Sequence, residues 1–134
     1  MAERSPTLVA TVAAGGMIGA AARYGVSRWI AVPADGFPWA TIVTNLTGAF
    51  VLGALLVLTI ARLPPSPYIR TFAATGVLGG YTTFSTFSVE ADLLVKDGRA
   101  GVALVAVVVT LVGGLVAVWL GTRLGDWAAK VARR

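Results

Sequence analysis

Four runs of apolar residues, each long enough to cross a lipid bilayer, constrain this sequence more than any other feature. A helix needs roughly 20 apolar residues to cross a hydrocarbon core of about 30 Å. The runs cover about residues 7–30, 39–61, 69–94 and 100–122. Because unbroken helices satisfy their own backbone inside lipid, the runs predict an all-α integral membrane protein. We expect four transmembrane helices that form one domain over residues 1–134.

Short segments rich in proline, glycine and aspartate separate these runs. They read PADGFP at 33–38, LPPSP at 63–67 and KDGR at 96–99. Such clusters are typical of turns, so the helices are expected to be joined by short loops.

Composition supports a membrane location and excludes several kinds of chemistry. Charged residues make up 13% of the chain, against about a quarter in soluble domains, and the mean hydropathy is +0.81. There is no cysteine and no histidine, which removes thiolate chemistry, Cys/His zinc sites and histidine acid/base catalysis. The runs also lack paired carboxylates, so we expect no enzyme and no catalytic residue.

The basic residues flank the apolar runs, and they form no patch with interleaved aromatic residues. The net charge of +5 therefore indicates positions next to a membrane and not nucleic-acid binding. Four spans place both termini on one side. Seven basic residues fall on that side and four on the other: Arg4, Arg62, Arg70, Arg123, Lys130, Arg133 and Arg134 against Arg23, Arg28, Lys96 and Arg99. This weak bias, most of which comes from the C-terminal tail, permits insertion in both orientations.

Glycines recur along the runs at positions where helices can approach one another. Gly15 and Gly19 form a GxxxG pattern in the first run, and Gly113, Gly114 and Gly121 lie in the fourth. Small residues of this kind build close helix contacts in lipid. They predict a packed bundle, and an oligomer, without indicating a function.

Two polar residues inside the runs each have two interpretations. Asn45 either links two helices or donates hydrogen bonds to a permeating anion. Arg23 either anchors its helix at the interface or lines a positive vestibule that attracts anions. Acidic residues are absent from the first, second and fourth runs, whereas Glu90 and Asp92 lie near the end of the third.

The most unusual stretch is TGVLGGYTTFSTFSVE at residues 75–90, in the third run. Gly79 and Gly80 weaken a helix, and the hydroxyl groups that follow can bond to freed backbone groups. The third helix is therefore predicted to break near the midplane, at this glycine pair.

Beyond the break, a polar stripe with an aromatic residue in it is expected. Thr83, Phe87 and Glu90 share one helix face, with Thr86 alongside. Phe84 lies next to Phe87, and the two rings either pack in the bundle or turn their positive edges toward a small anion.

Three motifs together resemble the Fluc/CrcB family of fluoride channels over essentially the whole chain. They are GGxxGAxxRY at 15–24, TxxxNxxGxFxxG at 41–53 and GxxGGYTTFSTFSxE at 76–90, of which the third is the most specific. The resemblance implies passive, fluoride-selective export from the cytoplasm. It also implies an antiparallel homodimer of dual topology with two pores, in the inner cell membrane of a prokaryote.

The resemblance also implies roles for individual residues. Phe84 and Phe87 match the fluoride-contacting phenylalanines, and Asn45 matches the pore asparagine. Ser85 and Thr86 match a polar track that leads toward Glu90, and Thr83 shares that face. Arg23 matches the vestibule arginine, and Thr110 matches a pore hydroxyl of the fourth helix. A structural Na⁺ at the dimer centre would be held by the backbone carbonyls of Gly79 and Thr82.

Three other functions were weighed against a channel. A small dual-topology exporter of cationic or guanidinium-like solutes would need a carboxylate deep in the membrane. An accessory subunit would show no transport by itself. A membrane enzyme would need a catalytic set that the spans lack.

Overall fold

The structure, a computed structural model, describes residues 5–30, 36–61 and 66–131. The described residues form helices and no strand. The helices are α1 (Pro6–Trp29), α2 (Trp39–Ala61), α3 (Pro67–Arg70), a π-helical segment (Thr71–Leu78), α4 (Gly79–Tyr81), α5 (Phe84–Lys96) and α6 (Ala100–Val131). Arg4, Arg62, Arg133 and Arg134, counted above for the charge bias, lie outside the described residues, as do 33–35 and 63–65 of the first two turns.

The predicted all-α architecture is confirmed for the described part of the chain. Three of its helices, α1, α2 and α6, are long and apolar enough to cross a membrane. The third predicted span is divided into shorter pieces between Pro67 and Lys96. Helix α6 continues to Val131, beyond the end predicted at Thr122.

The third span breaks later than the sequence suggested. Gly79 has right-handed helical angles, φ −65° and ψ −34°, and it begins the short helix α4 together with Gly80. The chain becomes extended at Thr82 (φ −77°, ψ 156°) and Thr83 (φ −147°, ψ 119°). The prediction of a break was therefore right, but its position at the glycine pair was wrong.

The glycine before the break serves close packing instead of unwinding. A Cβ atom added to Gly80 would lie 2.5 Å from the carbonyl oxygen of Gly16, and one added to Gly15 would lie 2.6 Å from the carbonyl oxygen of Phe72. Since real side chains do not approach so closely, only glycine lets α1 lie against the π-helical segment and α4.

The pair α2 and α6 is joined in the same way. A Cβ atom on Gly53 would collide with the carbonyl oxygen of Val118, and one on Gly121 with that of Phe50. One on Gly125 would lie 2.9 Å from the carbonyl oxygen of Ala54. From Leu46 with Gly113, through Phe50 with Gly121, to Val57 with Gly125, the contacts advance together along both helices, so α2 and α6 run parallel.

Candidate functional site

Asn45 of α2 holds the broken segment by its backbone. Its Nδ2 group donates to the carbonyl oxygen of Thr83 at 3.0 Å, and its Oδ1 atom accepts from the Thr83 amide at 2.8 Å. One side chain thus satisfies both backbone groups that the break at Thr83 releases. The first interpretation of Asn45, a link between helices, describes these contacts. The second Nδ2 hydrogen has no partner among the described residues, so an anion could still use it.

The side chain of Thr83 caps the start of α5. Its hydroxyl oxygen accepts from the Thr86 amide at 3.1 Å and donates to the Thr86 hydroxyl at 2.9 Å. The Ser85 hydroxyl lies 3.3 Å from the same oxygen. Because a threonine hydroxyl carries one proton, the proton of Thr83 is engaged, and that of Thr86 remains available to another acceptor.

Further contacts with α2 hold the residues on the other side of the break. The Thr47 and Tyr81 hydroxyls lie 2.9 Å apart. A Cβ atom on Gly48 would collide with the Cγ2 methyl group of Thr82, whose own hydroxyl donates to the Leu78 carbonyl at 2.9 Å. One stretch of α2 therefore contacts every residue from Tyr81 to Thr83.

A groove of about 320 Å³ opens beside the break. Predicted pore residues from three parts of the sequence line it, namely Asn45, Thr83, Phe84, Phe87 and Thr110, together with Thr82. The Thr110 hydroxyl donates to the Ala106 carbonyl at 2.8 Å, so it offers an oxygen to the groove and not a proton.

The two phenylalanines of the groove have different surroundings. Their ring centroids are 6.3 Å apart and the ring planes are tilted by 47°. Phe87 is 8% exposed, whereas Phe84 is 81% exposed. Phe87 is therefore fixed by the fold, and Phe84 projects from the chain as a large apolar side chain without cover.

A second cavity, of about 300 Å³, lies on the other side of Thr83. Arg23, Thr86 and Glu90 line it, and Thr83 lines both this cavity and the groove. The predicted residues thus form two groups that meet at one threonine: a charged and polar cavity, and an aromatic groove.

Some residues of the polar cavity were not predicted as site residues. Thr41 and Thr44 of α2 line it and are buried. They lie on the same face of α2 as Gly48, at i, i+3 and i+7, so the spacing in the sequence carried this signal. The Oε2 atom of Glu90 is buried and has no hydrogen-bond partner among the described residues.

The break also releases the two carbonyl groups predicted to hold a cation. In a continuous helix, the Gly79 carbonyl would accept from the Thr83 amide, and the Thr82 carbonyl from the Thr86 amide. Here the Thr83 amide donates to Asn45 and the Thr86 amide to the Thr83 hydroxyl. Both carbonyl oxygens are thereby free of their helical donors, and backbone carbonyl oxygens are ligands that hard cations take.

Two predicted residues stand apart from both cavities. Ser85 is exposed and lines neither of them, and Gly79 is likewise exposed at the surface of α4. The remaining predicted residues line the groove or the polar cavity, as described above.

These features define a small multi-pass membrane protein whose polar groups converge on an interrupted helix. The family model described as "CrcB-like protein, Camphor Resistance (CrcB)" matches residues 10–122. The chain therefore belongs to the CrcB-like family, as the sequence motifs indicated.

Curated relatives share most of the chain. A protein of Streptomyces coelicolor named "Fluoride-specific ion channel FluC 1" is 45% identical over 92% of this chain and 77% of its own length. "Fluoride-specific ion channel FluC 2" of Nocardia farcinica is 40% identical over 96% of this chain and 92% of its own length. "Fluoride-specific ion channel FluC" of Agrobacterium fabrum is 42% identical over 87% of this chain and 94% of its own length.

The names of these relatives distinguish between a channel, an enzyme and an exporter. The relatives are named as ion channels, which confirms the expectation that the protein is not an enzyme. They give no support to an exporter of cationic solutes. Three helices of the described residues are long and apolar enough to cross a membrane, and the relatives are bacterial, so the chain is a multi-pass membrane protein of a bacterial family.

Proposed function

We propose that this protein is a fluoride-specific channel that lets fluoride leave the cytoplasm passively. The observation that carries the proposal is the convergence of Asn45, Thr83, Phe84, Phe87 and Thr110 on one groove at the helix break. Membership of the CrcB-like family supports it, as do the names of the relatives.

The geometry supplies weak and distributed partners for a small anion. Helix α5 begins at the break, so the positive end of its dipole faces the groove and the polar cavity. The Thr86 hydroxyl and the second Nδ2 hydrogen of Asn45 are donors, and the edges of Phe84 and Phe87 carry partial positive charge. Partners of this kind replace hydration stepwise without trapping the ion, which conduction requires.

The polar cavity would concentrate anions before they reach the groove. Arg23 lines it and is half-buried, so its charge acts in a setting of lower dielectric than bulk water. Thr83 joins the cavity to the groove, and Glu90 marks the far end of the polar stripe. In this proposal an anion passes from Arg23 along Thr86 and Thr83 to the phenylalanines.

We further propose that the working form is an antiparallel homodimer of dual topology with two pores. The groove is open on one side, and Phe84, one of its walls, is 81% exposed. The weak electrostatic contact between a ring edge and an anion is strengthened where water is excluded. A second copy over this face would provide that cover, and the weak charge bias permits opposite orientations.

A structural Na⁺ at the dimer centre is part of the same proposal. The carbonyl oxygens of Gly79 and Thr82 would hold it, since both are released from helical donors by the break. When bound, Na⁺ supplies positive charge that balances the carbonyl dipoles. One chain offers two such ligands and two copies offer four, whereas a hard cation takes about six, so the carbonyl groups of one chain are too few to hold the ion. We place the protein in the inner membrane.

The test is ion efflux from liposomes that contain only this purified protein. Liposomes are loaded with fluoride or chloride, and efflux is read with ion-selective electrodes. Rapid fluoride loss without chloride loss is the expected result. No fluoride loss from a folded, reconstituted protein would contradict the proposal, and loss of both ions would contradict its selectivity.

Assembly and orientation are measured separately. Because the chain has no cysteine, a single cysteine introduced at Gly98 can report orientation. An impermeant thiol reagent is expected to label about half of the molecules from outside if both orientations are equally populated. Complete labelling, or none, would contradict dual topology.

A further inference from the structure

The last three turns of α6 present a basic and aromatic surface whose direction is fixed by packing. Gly121, Gly125 and Ala129 are buried, and a Cβ atom on Gly125 would lie 2.9 Å from both Ala54 and Val57 of α2. The opposite side of α6 therefore faces outward. It carries Trp119, Arg123, Asp126, Trp127 and Lys130, which we call the outer surface of α6.

The register of α6 against α2 places this surface near the edge of the membrane. Helix α2 is uncharged from Trp39 to Ala61, and a proline-rich segment follows it. The parallel contacts put Arg123 about one to two turns before the level of Ala61, and Lys130 near that level. A cation at these depths reaches the phosphate layer by extending its side chain.

The side chains of this surface can contact the phosphate layer of a membrane. The Arg123 guanidinium lies 5.3 Å from the ring centroid of Trp119, and such stacking leaves guanidinium hydrogens free for another acceptor. Trp119 and Trp127 are 55% and 63% exposed, as aromatic residues at a membrane interface are. Arg123 and Lys130 have no carboxylate within ion-pair distance among the described residues, although Asp126 lies between them on the helix.

We propose that the outer surface of α6 binds the phosphate groups of anionic phospholipids. Charge complementarity supports this occupant. From Trp119 to Arg134 the sequence holds four basic residues and one acidic residue, a net charge of 4 − 1 = +3. A juxtamembrane basic residue contributes attraction to an anionic leaflet, and that attraction falls as salt screens it. The inference does not depend on fluoride conduction.

Lys96, before the start of α6 and at the opposite end of that helix from the outer surface, offers a matched control. Lys96, the last residue of α5, is exposed and bonds to Asp92 at 2.6 Å. That hydrogen bond, and the charge of Asp92, raise the pKa of Lys96. Lys96→Ala therefore removes one exposed cation that already has a carboxylate partner.

The experiment measures the unfolding temperature of the purified protein in neutral detergent. Phosphatidylglycerol, phosphatidylcholine or inorganic phosphate is added, at about 0.05 M and about 0.5 M NaCl. A lipid that binds only the folded protein raises the unfolding temperature. We expect a rise of a few degrees with phosphatidylglycerol at low salt, a smaller rise at high salt, and little change with the other two.

Variants identify the surface. Arg123→Ala combined with Lys130→Ala is expected to lose at least half of the rise, whereas Lys96→Ala and the charge-preserving Arg123→Lys keep it. An equal rise with phosphatidylcholine would overturn the proposal, because contact with lipid chains alone would then explain it. A rise with inorganic phosphate, or a full rise in the double alanine variant, would overturn it as well.

Discussion

The α2–α6 pair and the broken third span satisfy their backbone hydrogen-bonding groups in different ways. Helices α2 and α6 are continuous, so each satisfies its own backbone, and glycine contacts such as Gly121 against Phe50 join them. The third span releases the backbone groups of Thr83 and the amide of Thr86, and the side chains of Asn45 and Thr83 take them up. The comparison teaches that polar groups concentrate where a helix is interrupted, while apolar contacts build the frame around it.

The largest effect is expected from replacing a glycine at the contact between α2 and α6, which together we call the frame, with a larger residue. Gly121→Leu places a side chain against the carbonyl oxygen of Phe50, a backbone atom that cannot move away. Overpacking costs about 1–3 kcal/mol where side chains can adjust, and here the helices themselves must separate. We expect no monodisperse folded protein in size-exclusion chromatography.

The matched control is Gly114→Leu on the same helix. A Cβ atom at Gly114 meets no other atom within 4 Å, so this variant is expected to fold normally. If both variants fold equally well, the close contact between α2 and α6 does not support the frame.

The next largest effect is expected at Phe84 and Phe87, where substitutions can distinguish a role in conduction from a role in folding. Phe84→Ile and Phe87→Ile are each expected to abolish fluoride efflux, because an aliphatic side chain offers no positive ring edge. Only Phe87→Ile should lower the free energy of unfolding, by about 1 kcal/mol, since Phe87 is buried and Phe84 is exposed. Efflux from liposomes and thermal unfolding in detergent are measured on the same preparations.

Phe50→Ile serves as the control, because Phe50 lies on α2 and does not line the groove. It is expected to keep fluoride efflux. Normal efflux in both groove variants would remove the aromatic mechanism, and loss of efflux in Phe50→Ile would show that any lost ring disturbs conduction.

The frame was largely predictable from the sequence, because length and hydropathy determine which segments can cross lipid. The predicted bounds of 39–61 match α2. The apolar run predicted at 100–122 lies within α6, which continues to Val131, and Arg123 just beyond the run stacks on Trp119 at the helix surface. A charge at the end of an apolar run marks the membrane edge and not the end of the helix.

The break was predictable in kind but not in position. Glycine pairs weaken helices in general, yet Gly80 is needed for contact with Gly16, and that partner lies 64 residues away in the sequence (80 − 16 = 64). At the actual break, the Thr83 backbone bonds to Asn45, which is also distant in the sequence. Local propensity cannot reveal either contact, and the same limit applies to the π-helical segment Thr71–Leu78.

A smaller effect tests whether Asn45 serves the break or the ion. Asn45→Ala leaves the amide and carbonyl groups of Thr83 without their partners, which costs about 2–6 kcal/mol for two unpaired groups. We expect a lower unfolding temperature, and at least about a tenfold loss of fluoride efflux because the groove is built around the break that Asn45 holds; a factor of ten corresponds to about 1.4 kcal/mol in the barrier to conduction.

Thr59→Val is the control on the same helix, because it removes a hydroxyl that bonds only to the Leu56 carbonyl of its own helix. It should leave efflux unchanged. If Asn45→Ala abolishes efflux at unchanged stability, the asparagine acts on the ion, and the break is held by other contacts.

The smallest effect tests the free hydroxyl proton at the start of α5. The Thr83 proton goes to Thr86, so the Thr86 hydroxyl is the donor left for an anion. Thr86→Val is expected to lower fluoride efflux about fivefold, the loss of roughly one net hydrogen bond, and Thr86→Ser to restore it.

Ser88→Ala removes a hydroxyl that bonds to the Phe84 carbonyl and lines neither cavity, so it should not change efflux. Equal losses in Thr86→Val and Ser88→Ala would mean that both hydroxyls support α5. The hydroxyl groups that follow the break would then stabilise the fold, as the glycine contacts between α2 and α6 do, and they would have no separate role in fluoride conduction.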